Sequence, residues 1–220
     1  MSTIDAIKER HSVRNYLDKP IEADKIASLR TKINEVNEEG DLHLQLCEDA
    51  GKTFGRFLSK AMGLGSAPSV IACIGTDDET LDERVGYYGE QVVLLAQELG
   101  LNTCWAGTFS AKKVPAEIGA GERLVIVIAI GYGQNPGKQR KSKSIDKVTS
   151  AGEDMPDWFR AGVEMALLAP TAINQQKFEI ILNEDETVSF KDKGGPFSKV
   201  DLGIVKYHFE VGAEYFRENK

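Results

Sequence analysis

Arg10-His11-Ser12-Val13-Arg14-Asn15-Tyr16 is the stretch of sequence from which the rest of the chain can be interpreted. Side chains alternate in an extended segment, so Arg10, Ser12 and Arg14 would point to one side. Two guanidinium groups and a hydroxyl in a row can bind phosphate oxygens, because arginine presents a planar fork of N–H donors. The alternative is a helix end with solvated charges. On these residues alone both interpretations stay open.

The composition is that of an ordinary globular protein. With 220 residues, of which 41% are hydrophobic and 28% charged, the chain can form one large core or two small ones. No apolar run approaches the roughly 18 residues of a membrane span, and the first residues lack the apolar region of a signal peptide. We therefore expect a cytoplasmic protein without a membrane partner.

Charge and metal-ligating residues exclude two further classes of function. The net charge of −7 argues against general nucleic-acid binding. Three widely spaced cysteines, Cys47, Cys73 and Cys104, form no CxxC pair, and the three histidines have no metal-ligand spacing. The sequence therefore predicts no disulfide and no metal site.

Hydrophobic periodicity predicts helices alternating irregularly with short strands. Helices are expected at about residues 2–10, 20–40, 54–63, 79–99, 110–118, 157–168 and 199–217. Strands are expected at about 42–47, 70–74, 101–109, 124–130, 178–182 and 187–190. Because the strands and helices do not form regular βαβ units, the pattern favours an α+β fold.

A basic segment follows the most apolar predicted strand. Five basic residues stand against one acid, for a local charge of +4: Lys138, Arg140, Lys141, Lys143 and Lys147 against Asp146. The segment is either a solvated linker or part of an anion site. Nucleic-acid contact is the weakest interpretation, since no aromatic residues are interleaved to stack on bases.

Four stretches together resemble the nitroreductase family of FMN enzymes. They are the arginine stretch 10–16, the helix Gly86–Ala96, the strand end Gly131-Tyr132 followed by Lys138-Gln139-Arg140, and the loop Ala169-Pro170-Thr171-Ala172-Ile173-Asn174-Gln175-Gln176. The resemblance implies a nitroreductase-like α+β fold. That fold has a central mixed or antiparallel sheet, helices on both faces and two pseudo-symmetric lobes.

The order of these motifs differs from the family's usual order. The loop at 169–176 follows the Lys-x-Arg instead of preceding the central helix, and Gly203–Ala213 repeats Gly86–Ala96 in length and in its first and last residues. The chain therefore resembles a subgroup with rearranged or duplicated halves. Our hypothesis is a fused pseudo-dimer, in which residues 1–150 form a flavin-phosphate-binding lobe and 151–220 a shortened lobe that supplies the flavin-covering loop. It would be a monomer with one FMN site; a homodimer is the alternative.

The resemblance also implies which residues bind the FMN phosphate. Arg10, Ser12, Lys138 and Arg140 would hold it, with Arg14 nearby and His11 contributing backbone contacts. This role accounts for the basic segment better than solubility does.

By the same resemblance, two further stretches would contact the flavin ring. Pro170, Thr171, Ala172 and Asn174 would close over it. Ala106 and Gly107 would form the catalytic turn whose backbone N–H groups lie near flavin N5, although many relatives have glutamate in place of Ala106. Trp105 either shapes the pocket or packs in the core.

The implied activity is NAD(P)H-dependent reduction of a small-molecule electron acceptor. In this ping-pong scheme, NADH or NADPH delivers hydride to flavin N5 and leaves before a nitroaromatic, quinone or similar acceptor binds. Two alternatives stay open: another redox chemistry of the same fold, such as dehalogenation, and a flavin-binding storage or sensing protein without efficient turnover.

Overall fold

The structure is a computed structural model that describes residues 1–54, 64, 67–152 and 154–219. The helices within those residues are α1 (Thr3–Glu9), α2 (Ala23–Gly40), α3 (Leu81–Glu98), α4 (Asp157–Ala166) and α5 (Ser198–Glu218). The strands are β1 (Gln45–Cys47), β2 (Ser69–Thr76), β3 (Asn102–Ala106), β4 (Glu122–Gly131), β5 (Phe178–Leu182) and β6 (Val188–Asp192). Short 3₁₀ turns lie at Ala111–Lys113, Ile145–Lys147 and Ala172–Asn174.

The predicted helix at 110–118 is wrong. The structure has only the turn Ala111–Lys113 there, because Pro115 lacks an N–H and disfavours helical geometry in the residue before it. The strand predicted at 42–47 is shorter than expected: β1 begins at Gln45, and Leu42 makes an isolated bridge to Gly75. The helix predicted at 54–63 lies almost entirely outside the described residues.

Four strands form an antiparallel sheet in the order β1-β2-β4-β3. The two central strands are the most apolar segments because both of their faces are buried. In β2, Ile71 and Cys73 face one core, whereas Val70, Ala72 and Ile74 face the other.

Different parts of the chain cover the two faces of this sheet. Helices α2 and α3 pack on the first face through residues such as Leu29 and Val92. On the second face lie Val13 and Tyr16 of the arginine stretch, together with Phe54. The Tyr16 hydroxyl donates to the Ala129 carbonyl oxygen of β4 at 3.2 Å, so this stretch is anchored on the sheet.

The C-terminal segment contributes α4, a β5-β6 hairpin and α5. Its buried side chains share one cluster with those of the first segment, as Val205 and Phe159 do with Val92. No helix among the described residues is long and apolar enough to cross a membrane.

Helices α3 and α5 contact each other through a reciprocal pair of glycines. A Cβ atom on Gly86 would overlap the Val200 carbonyl oxygen, and one on Gly203 would overlap the Glu83 carbonyl oxygen. Each overlapping residue lies three positions before the opposite glycine, so the contact has local two-fold symmetry. This local symmetry relates the same residues that the sequence repeat pairs, as expected for two pseudo-symmetric lobes.

The glycine contact can be tested with Gly86→Ala. Alanine in a helix is favoured over glycine by about 1 kcal/mol, but here the added methyl group would force α3 and α5 apart. Overpacking of this kind costs about 1–3 kcal/mol, so we expect chemical denaturation to show a lower free energy of unfolding. Gly51→Ala is the control, since a Cβ atom there meets nothing within 4 Å. A Gly86→Ala protein as stable as the control would contradict the close crossing.

Candidate functional site

A cleft of about 540 Å³ is formed by residues of both lobes. Its volume lies within the roughly 300–1,000 Å³ typical of small-molecule and cofactor sites. The lining residues that the sequence predicted are Ser12, Arg14, Ala106, Gly107, Arg140, Pro170, Thr171, Ala172 and Asn174. The structure therefore brings together motifs that lie more than 150 residues apart in the chain.

Three predicted site residues lie elsewhere. Arg10 and His11 line a smaller cavity of about 60 Å³, which shares Arg140 and Asn174 with the cleft. Lys138 is exposed and lines neither of these two cavities. The arginine stretch therefore lines both cavities, with Ser12 and Arg14 in the cleft and Arg10 and His11 in the smaller cavity.

The arginine stretch is held beside β3. Ser12 bridges to Thr103, and the Val13 N–H donates to the Thr103 carbonyl oxygen at 3.0 Å. Val13 is buried, whereas Ser12 and Arg14 face the cleft. The segment is thus extended at Ser12 to Arg14, with the alternation that its sequence predicts, whereas Arg10 lines the smaller cavity and not the cleft.

Glu90 is the centre of a buried polar network that connects the lobes. Its carboxylate accepts a 2.8 Å hydrogen bond from Trp105 Nε1 and lies 3.6 Å from Arg10 Nε. His208 Nε2 of the second lobe is 2.9 Å from Glu90 Oε1, and its Nδ1 is 3.2 Å from the Met165 carbonyl oxygen. Both imidazole nitrogens lie within hydrogen-bond distance of an oxygen, so the His208 ring links Met165 of α4 to Glu90 of α3.

Positive charge exceeds negative charge where the two cavities meet. Burial lowers the pKa of Arg140, the charges of Arg10 and Arg14 lower it further, and Glu90 opposes them. Arg10 is 3% exposed, and its Nε and Nη1 atoms have no hydrogen-bond partner among the described residues. Buried donors without acceptors are uncommon and often mark the place of a ligand. An anion here would supply the missing acceptors.

The turn after β3 approaches an aromatic ring closely. A Cβ atom on Gly107 would overlap the ring of Phe197, so only glycine permits this contact. Phe197 has a left-handed backbone with φ of 55° at the start of α5. The ring forms one wall of the cleft.

The loop at 169–176 is tied to both neighbouring segments. The Ala172 N–H donates to Asp201 Oδ1 at 2.9 Å, and the Asn174 side chain donates to the Lys141 carbonyl oxygen at 2.9 Å. The Lys143 N–H donates to the Gln176 side chain at 2.7 Å. The basic segment is therefore fastened to this loop and does not behave as a solvated linker.

Residues 2–213 match the model of a family described as "Putative TM nitroreductase". The chain belongs to this nitroreductase family. No curated protein matches it.

Solved structures show the same fold. A "putative nitroreductase" from Thermotoga maritima is 24% identical, with a TM-score of 0.73 over 99% of this chain and 86% of that one. A "Putative NADH dehydrogenase/NAD(P)H nitroreductase" from Bacteroides thetaiotaomicron is 18% identical, with a TM-score of 0.52 over 66% of this chain and 95% of that one. A "Putative NADH Oxidase" from Clostridium acetobutylicum is 22% identical, with a TM-score of 0.51 over 66% and 97%. Two thirds of this chain thus correspond to nearly the full length of the last two proteins.

Several residues of this nitroreductase site were not predicted from the sequence. Phe197, Val200, Asp201 and Ile204 line the cleft from α5. They recur at the i, i+3, i+4 and i+7 spacing of one helix face. The internal repeat was the available signal, because it pairs α5 with the central helix α3 and so indicates that α5 adjoins the cleft.

Glu90→Gln tests the buried network of this nitroreductase. The change leaves the buried Arg10 guanidinium without its counter-ion, and breaking a buried ion pair costs about 3–5 kcal/mol. We expect urea denaturation to show a loss of that size. Glu48→Gln is the matched control, because the Arg30–Glu48 pair is exposed and such pairs contribute less than about 1 kcal/mol. Equal losses in the two variants would contradict the proposed importance of Glu90.

Proposed function

We propose that this chain is an FMN-dependent oxidoreductase that transfers electrons from NADH or NADPH to a small-molecule acceptor such as a nitroaromatic or a quinone. The observation that carries the proposal is the pair of buried Arg10 donors without acceptors among the described residues. They line the small cavity that shares Arg140 and Asn174 with the cleft. Family membership and the size of the cleft support it.

The residues present fit the two parts of FMN. Arg10, Ser12 and Arg140, with Arg14 nearby, would hold the phosphate through charge-assisted hydrogen bonds. Lys138, which is exposed, would add long-range attraction.

At the other end of the cleft, the turn Ala106-Gly107 and the loop residues Pro170 to Asn174 would enclose the ring. When bound, the flavin supplies the two-electron chemistry that amino-acid side chains lack.

The chain's own residues would position the reactants and exclude water. Trp105, Ile126 and Ile204 give the cleft apolar walls, which strengthen electrostatic interactions inside it. A backbone N–H in the turn Ala106-Gly107 is a neutral donor, and it can stabilise developing negative charge without a competing proton transfer. Ala106 has no carboxylate with which to contact a substrate. The other residues that line the cleft would therefore select the substrate.

We further propose that one chain carries one complete site and acts as a monomeric pseudo-dimer. The division into lobes 1–150 and 151–220 supports this, since each contributes lining residues to the same cleft. A second copy of the chain is then not required to close the site.

The proposal is tested by following visible absorption anaerobically while NADH or NADPH is added to FMN-loaded protein. We expect the flavin absorption to bleach and then to recover when a nitroaromatic or a quinone is added. Protein that binds FMN but is not reduced by either nucleotide would favour a storage or sensing protein. Protein that cannot be loaded with FMN would contradict the proposed function.

Arg140→Gln should weaken binding of FMN much more than binding of riboflavin, because riboflavin lacks the phosphate. A hydrogen bond between charged groups is worth about 1.5–3 kcal/mol, so we expect a roughly 10- to 100-fold higher Kd for FMN. Riboflavin affinity should change less than about fivefold. Fluorescence titration measures both.

Lys147→Gln is the matched control for this test. Lys147 belongs to the same basic segment, but its side chain is 69% exposed and pairs with Asp146. Its removal should leave FMN affinity nearly unchanged. Equal effects of Arg140→Gln on FMN and riboflavin would show that Arg140 does not bind the phosphate.

A further inference from the structure

We propose that Asp201 is the catalytic acid that gives a proton to the electron acceptor, an inference that rests on the proposed function. Reduction of a quinone or a nitro group by hydride also consumes a proton. A donor fixed beside the acceptor removes the need to recruit that proton from bulk water.

Asp201 lies on the part of α5 that forms the cleft wall. Phe197, one turn before it, packs against Gly107, and Ile204, almost one turn after it, lines the same cleft. Residues four apart on a helix share a face. Asp201 therefore lines the same cavity as the catalytic turn, and its two carboxyl oxygens accept hydrogen bonds from Ala172 and Gln175 at the edge of that cavity.

No other described lining residue can act as an acid near neutral pH. Arg14 and Arg140 are the other ionisable residues of the cleft wall, and guanidinium groups do not release protons in proteins. The lining hydroxyls belong to Ser12, Thr108 and Thr171. A serine or threonine hydroxyl is far too weak an acid for this task.

The surroundings of Asp201 raise its pKa above the ordinary value of an aspartate. Burial raises its pKa to about 6, with a smaller contribution from the charge of Asp192 on β6. Hydrogen bonds from the Gln175 side chain and the Ala172 N–H, and the charge of Arg140, act in the opposite direction. A carboxyl group with this balance is partly protonated near neutral pH, as general acids are.

The step balances for a quinone acceptor. The quinone takes one hydride, which is two electrons and a proton, from the reduced cofactor and one proton from the Asp201 carboxylic acid. The products are the hydroquinone and the Asp201 carboxylate, to which water returns a proton before the next turnover. No further oxidant or reductant is needed.

A purely structural role for Asp201 is the competing explanation, because its carboxylate holds the 169–176 loop. Asp201 Oδ2 accepts a 2.7 Å hydrogen bond from Gln175 Nε2, besides the bond from Ala172. Loss of this anchor alone would change flavin affinity and both half-reactions. Loss of the anchor would not shift the pH dependence of the oxidative half-reaction alone.

The test measures the oxidative half-reaction by stopped flow. FMN-loaded protein is reduced with dithionite and mixed anaerobically with the quinone menadione between pH 5 and 8. For the unmodified protein we expect the rate constant to be constant at low pH and to fall as pH rises above about 6. Asp201→Asn should lower the low-pH rate constant roughly 100-fold and remove the pH dependence.

Two further variants should move the pH midpoint in opposite directions. Gln175→Ala removes a hydrogen bond to the carboxylate and should shift the midpoint to higher pH. Asp192→Asn removes a negative charge near Asp201 and should shift it to lower pH. Unshifted midpoints in both variants would overturn the assignment of the proton donor.

A direct readout that does not depend on turnover is carbon NMR of flavin-free protein labelled at aspartate carboxyl groups. We expect one carboxyl resonance to titrate near pH 6 and to be absent from Asp201→Asn. If no such titration occurs, or if Asp201→Asn retains the pH-dependent oxidation, Asp201 is not the acid. Failure of NADH and NADPH to reduce the flavin, with the dithionite-started reaction intact, would instead contradict the proposed function alone.

Discussion

The close crossing of α3 and α5 at Gly86 and Gly203 is the constraint on which the rest of the structure depends. Without side chains at these positions the two helix backbones touch, and each glycine meets the carbonyl three residues before the other. This contact sets the second lobe against the first. It brings His208 to Glu90 and turns the start of α5 towards the cleft.

Buried charged and polar residues between the two lobes then position the residues of the site. Glu90 and His208 are fully buried, and Arg10 is almost so. Buried ion pairs contribute little net stability, but their hydrogen-bonding requirements can specify a single arrangement. We interpret Glu90 in this way: it fixes Trp105 at the cleft wall and keeps the Arg10 guanidinium between the lobes. The donors of Arg10 that Glu90 does not satisfy remain for an anion.

Much of the fold could be predicted from the sequence because its signals are local. Continuous apolar runs identified β2 and β4, and the repeated glycine-to-alanine pattern indicated an internal repeat, whose two copies are the helices that the structure places in contact. The cleft face of α5 escaped prediction, since helical periodicity does not show which neighbour a face contacts. Lys138 was assigned to the phosphate site from the Lys-x-Arg motif alone. In the structure it is exposed and does not line the cleft. Pro115 ended a helix that the preceding residues favoured.

The central claim is that the two lobes of a single chain complete one flavin site. Native mass spectrometry during FMN titration tests it most directly, because it counts chains and flavins in the same particle. The account predicts that monomers take up one FMN per 220-residue chain and that saturation does not depend on protein concentration. Binding confined to dimers, with two flavins for two chains, would show that each site needs a second copy and would contradict the account.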